Sequence, residues 1–115
     1  MIEKFLKSAD DIKPLVTGLG GCIATNFITK GGLPVRFMYR EAPDNDIDSG
    51  WRFMTGAEND EYMDDPNNHK VYDVNTIANY DPTIISFLNA PVGSAFEKVT
   101  GALDFVLVDD WRPTE

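Results

Sequence analysis

Apolar and polar side chains alternate most clearly at residues 34–40, Pro-Val-Arg-Phe-Met-Tyr-Arg. An extended chain there puts Val35, Phe37 and Tyr39 on one face and Arg36, Met38 and Arg40 on the other. Upstream, Gly20 and Gly21 release the chain into the small-residue run at 22–26, which reads as a strand. Lys30-Gly31-Gly32 then supplies a turn that predicts a hairpin between the two runs. Downstream, the acidic loop at 41–48 leads into Gly50-Trp51-Arg52-Phe53-Met54-Thr55, a third strand. Trp51 and Phe53 point the same way on it, and Arg52 lies on a strand beside Arg40.

Helical signals follow. Near the N-terminus Ser8 is placed to cap a short helix at 8–16, although Pro14 interrupts its hydrogen-bond ladder. Residues 58–65 make one acidic helical turn that Pro66-Asn67-Asn68 ends. Asp73 caps a helix at 74–80. Asp81 caps a second helix that begins with Pro82, where a missing N–H costs nothing, and turns Ile84, Ile85 and Leu88 inward. The turn from Asn89 through Gly93 closes it, and residues 94–99 and 105–108 read as a final strand pair around Thr100-Gly101. Strands, then helices, then strands predict an α+β fold: a single domain over 1–115, with an antiparallel sheet and short helices packed on one side.

Composition narrows the partners. At 115 residues, 43% hydrophobic and 25% charged, the chain can bury one core and fold. Its 19 carboxylates against 10 Lys and Arg give a net charge of −9. That field repels nucleic-acid phosphates and anionic lipid, and the scattered basic residues form no offsetting stripe, so the favoured partner is a basic protein. The weakly polar stretch at 14–28 is broken by Gly18, Gly20, Gly21 and Asn26, so neither a signal peptide nor a membrane span is expected. Cys22 is the only cysteine, which rules out an internal disulfide and fits the reducing cytoplasm.

Candidate chemistry fails residue by residue. Asp44, Asp46 and Asp48 alternate as in a calcium loop, but Ser49 stands where the sharp turn needs Gly and Thr55 where a bidentate Glu belongs. Cys22 in a small-residue strand reads as a compact buried hydrophobe and His69 as a polar-loop residue, not as a nucleophile and its base. Glu58 with Glu61, and Asp60 with Asp64, have the spacing of one helical face; in so acidic a chain such pairs read as solvated surface. Gly18-Leu19-Gly20-Gly21 lacks the Lys-Ser or Lys-Thr and the following helix of a phosphate loop. No cofactor and no metal is expected. The remaining constellation, Arg40, Trp51, Arg52, Tyr62 and Tyr72, consists of the residue types that concentrate binding energy at protein interfaces.

Several motifs in order carry a family resemblance: Met38-Tyr39-Arg40-Glu41, Asp48-Ser49-Gly50-Trp51-Arg52-Phe53, Glu61-Tyr62-Met63, Asp73-Val74-Asn75-Thr76-Ile77, Asn79-Tyr80-Asp81-Pro82 and Pro91-Val92-Gly93-Ser94-Ala95-Phe96-Glu97. Over about residues 21–97 the chain resembles the immunity protein thirty-three-like family, formerly a domain of unknown function. The resemblance implies a bacterial cytoplasmic α+β domain that protects a cell against a toxin made by itself or its kin, with no catalytic residue to carry over.

The expectation is therefore a non-enzymatic acidic protein that binds a protein partner, a basic toxin domain. Glu58, Asp60, Glu61, Asp64 and Asp65 would steer encounter, with Arg40, Trp51, Arg52 and Tyr62 in contact. The rival is an enzyme or small-ligand binder holding an anion in a pocket of Arg40, Arg52 and Tyr62. A third reading is self-association through a sheet edge.

Overall fold

Gly20 and Gly21 do launch a strand, β1 (Gly21–Thr25), but the next residues turn helical instead of extending it. In the computed structural model, which describes residues 12–98 and 105–108, α1 (Asn26–Thr29) buries Ile28 and Thr29. The Gly31 and Gly32 amides then donate back to the Asn26 and Ile28 carbonyls. A Cβ on Gly31 would lie 2.7 Å from the Phe27 carbonyl oxygen. These glycines end a helix, so the expected hairpin between 22–26 and 34–40 does not form: β2 (Phe37–Arg40) pairs with β3 (Asp48–Met54). β1 instead lies parallel to β3, a pairing that the long connection through α1 and β2 permits.

α2 (Asp60–Asp64) is capped by the Asn59 side chain, and a 3-10 turn (Pro66–Asn68) follows, started by Asp65. β4 (His69–Asp73), a strand that the sequence pattern did not signal, then pairs antiparallel with β1 at the sheet edge. α3 (Val74–Tyr80) and its Asp73 cap stand where the sequence places them. The Asp81-capped element at Pro82–Phe87 is 3-10 in geometry, with Ile84 and Leu88 buried and Ile85 half-buried. β5 (Ala95–Glu97) and β6 (Val106–Leu107) form the expected closing pair. Of the expected helix at 8–16, residues 8–11 lie outside the described residues, as does the Thr100-Gly101 turn, and residues 12–16 are irregular.

The sheet order is β4-β1-β3-β2-β5-β6, α+β and antiparallel except for β1 against β3. Cross-strand partners share a face, so Cys22, Ala24, Met38, Trp51 and Phe53 look one way, onto Val74, Ile77, Ala78, Ile84 and Leu88 of the helical segments. Ile23, Tyr39 and Arg52 look the other way. The alternation at 37–40 holds, with Phe37 and Tyr39 on one face and Met38 and Arg40 on the other; it is Met38 that points into the core, and Val35 is buried ahead of the strand, where its N–H meets Asp81. Asp81 and Lys98, both buried, pair across 3.6 Å and tie the 3-10 segment to the end of β5.

Candidate partner-binding surfaces

The Gly50-Trp51-Arg52-Phe53 motif is a folding device. Gly50 has φ +88, and a Cβ there would collide with the Glu41 carbonyl oxygen, so glycine is required. The β1–β3 register jumps between Gly21↔Asp48 and Ile23↔Arg52, a bulge in β3. In a regular strand, residues four apart stand about 13 Å from each other, yet here Arg52 grips both oxygens of Asp48 at 2.9 and 2.8 Å. Its Nε donates to Glu41 at 2.6 Å, and Asp44 approaches to 3.8 Å. The hydrogen bonds from Arg52 hold the Asp48 carboxyl far below the usual range against the opposing effect of burial. The same bonds push Arg52 upward, so the pair stays ionised at every ordinary pH.

Trp51 is fully buried, with its indole N–H on the Leu88 carbonyl at 3.1 Å and its ring stacked against Phe53 at 6.1 Å. An indole without exposed surface offers a partner nothing, so the expected anchor is a core residue. Arg40 lies over that indole at 5.7 Å and donates to the Ser49 and Ala90 carbonyls. Arg40 and Arg52 occupy opposite faces of the sheet, and Tyr62 lies at its other end, stacked on Phe27 at 4.3 Å. These three residues therefore form no common anion pocket, because adjacent cross-strand positions with alternating side chains send the two guanidinium groups apart.

Around α2 the expected residues separate into two roles. Glu58 is a clamp: it accepts from the Thr25 hydroxyl at 2.6 Å, from the Thr55 amide and hydroxyl, and from the Gly56 amide. Burial resists its ionisation, but these donors prevail and its pKa falls below the ordinary value. Asp60, Glu61, Asp64 and Asp65 are exposed, and none has a salt-bridge partner among the described residues. Glu61, Tyr62, Asp64 and Asp65 border one open concavity of about 620 Å³ with Asn59 and Asn68.

A second concavity, of about 530 Å³, lies at the other end of the sheet, where β1 and β3 begin and β4 ends. Asp44, Asp48, Asp73 and Arg52 contribute charge, and Ile23, Ile47 and Val71 contribute apolar surface. Sequence reasoning passed over Ile47 and Val71. The signal available was a lone isoleucine between Asp46 and Asp48 in an otherwise polar loop. Cys22 is buried, its thiol pushed up by burial, and His69 pairs with the Met63 carbonyl, so these two side chains are engaged separately. Among the described residues no three metal-ligating side chains converge, and no helix is long and apolar enough to cross a membrane.

The Immunity protein Imm33 domain matches the chain over residues 22–108. The chain belongs to this family. No curated protein and no solved structure matches it. The Imm33 match spans β1 from its second residue, every later strand to β6, and both concavities apart from the Gly20 and Gly21 margin of the second.

Proposed function

We propose that this protein is a non-enzymatic immunity protein of the bacterial cytoplasm that captures a basic toxin domain and covers its active site. The observation that carries this reading is the display at α2, where Asp60, Glu61, Asp64 and Asp65 stand exposed, without cation partners among the described residues, beside the half-buried Tyr62. Carboxylates already paired within a fold project little field, whereas unpaired ones on a chain of net charge −9 accelerate the approach of a cationic surface. Membership of the Imm33 family supports a toxin as that partner.

The test begins with affinity purification from the native cytoplasm to identify the partner, followed by stopped-flow association kinetics. Raising salt should slow association steeply, and Asp60→Lys, Glu61→Lys and Asp64→Lys combined should lower the rate by about tenfold or more at low ionic strength. An association rate indifferent to both overturns the reading.

A further inference from the structure

Ile47 and Val71 are the two most exposed large apolar side chains among the described residues, 78% and 75% accessible, and they border the same concavity. Exposed apolar surface on a loop is ordinarily mobile, but here the backbone is fixed. The Ile47 carbonyl accepts the Gly21 amide at 2.6 Å, and a Cβ on Gly20 would lie only 2.5 Å from that same oxygen. The Ser49 hydroxyl donates to the Gly21 carbonyl, and Asn45 and Asp48 close the loop through the Ile47 and Asp44 amides. Val71 is held by the β1–β4 ladder opposite Ile23. The groove is thus a pre-formed apolar cleft, for which binding need not order the chain.

Its charge selects the occupant. Arg52 is enclosed by Asp48 and Glu41, so among the described residues no cation faces the groove unopposed. Asp44 is 79% exposed at 3.8 Å from that guanidinium. Asp73 uses one oxygen to cap α3 at Asn75, and its other oxygen accepts nothing among the described residues. A long aliphatic stem ending in a cation satisfies both features, since Arg and Lys pack their methylenes on apolar surface and keep the charged head at a polar rim. The volume, about 530 Å³, exceeds a single side chain and suits one with its neighbours.

We propose that this groove docks a short segment of a partner protein in which an arginine or lysine is flanked by apolar residues, the stem lying between Ile47 and Val71 and the cation meeting Asp44 and Asp73. The proposal rests on the reading of the protein as a binder of a basic partner and adds a second contact, at the end of the sheet away from α2.

The test needs no toxin. The full chain, labelled with 15N, is titrated with the capped tripeptide acetyl-Leu-Arg-Leu-amide, and amide shifts are followed at Gly21, Ile47, Val71 and Asp73. Saturable shifts at those positions are expected. Replacing the peptide arginine with neutral citrulline should weaken binding about tenfold, and so should the paired variant Asp44→Asn and Asp73→Asn, in which asparagine preserves the α3 cap. Ile47→Asn should weaken the peptide without altering the fold, as reported by unchanged shifts in α3. Absence of groove shifts, equal affinity for the citrulline peptide, or binding of n-butylguanidinium as tight as that of the peptide each overturns the proposal. Such a failure would leave the salt dependence and the α2 charge reversal to stand or fall separately.

Discussion

The two ends of the sheet use carboxylates in opposite ways. Where β3 begins, Asp48 and Glu41 surround Arg52 and fix a bulge, so their charge is consumed within the fold. Where β3 ends, Glu58 closes the chain reversal, and α2 beyond it presents Asp60, Glu61 and Asp64 to solvent with no ion pair among the described residues. Acidity alone therefore does not mark a binding surface. The distinction is whether a donor lies within reach of the carboxylate, and that depends on geometry over the whole sheet.

The sharpest way to break this contrast is Arg52→Ala. It leaves Asp48 and Glu41 facing each other around an emptied, buried site, and should cost about 3 kcal/mol in urea unfolding. Arg52→Lys should recover only part of that, because an ammonium cannot reproduce the two parallel bonds to Asp48. A loss under about 0.5 kcal/mol for Arg52→Ala would place this end among ordinary surface charge.

Next in size is Glu58→Ala, which strips acceptors from the Thr55 and Gly56 amides and the Thr25 hydroxyl; a destabilisation of about 2 kcal/mol is expected by the same measurement. Acid provides a smaller effect with a defined sign. The folded Asp48 carboxyl ionises far below its unfolded range, so its contribution is complete above about pH 4 and declines as pH falls below that value. Unfolding measured at about pH 3 and at neutrality should show a loss of about 1 kcal/mol that is missing in Asp48→Asn. Smallest of all is neutralisation at α2: Asp60→Asn, Glu61→Gln and Asp64→Asn together should change stability by less than about 0.5 kcal/mol. If they destabilise the fold as Arg52→Ala does, α2 is structural and the contrast fails.

Much of the local structure was legible in the chain. Asp73 and Asp81 announced their caps, Pro82 its first position, and the run Trp51–Phe53 a strand with both rings on one face. The misread positions share a cause. Gly31 and Gly32 carry the same local signal in a hairpin as at a helix end, and only the burial of Ile28 and Thr29 beneath the core decides for the helix. Arg40, Trp51 and Arg52 are residue types that serve interfaces and cores alike. Their roles follow from partners distant in sequence, such as the Leu88 and Ala90 carbonyls, or from a bulge that brings Asp48 to Arg52. Ile47 and Val71 lie 24 positions apart and meet only because β1 lies between β3 and β4.

The amino-acid sequence by itself determined the acidic charge, the α+β class, the capped helix at Val74–Tyr80 and the membership motifs, because composition, capping and short-period alternation are written within a few residues. Tertiary structure alone decided which strands are neighbours, which carboxylates remain unpaired and where an apolar cleft opens. Those outcomes depend on pairing between distant segments, and the free energy of such pairing is not encoded in any one window of the chain.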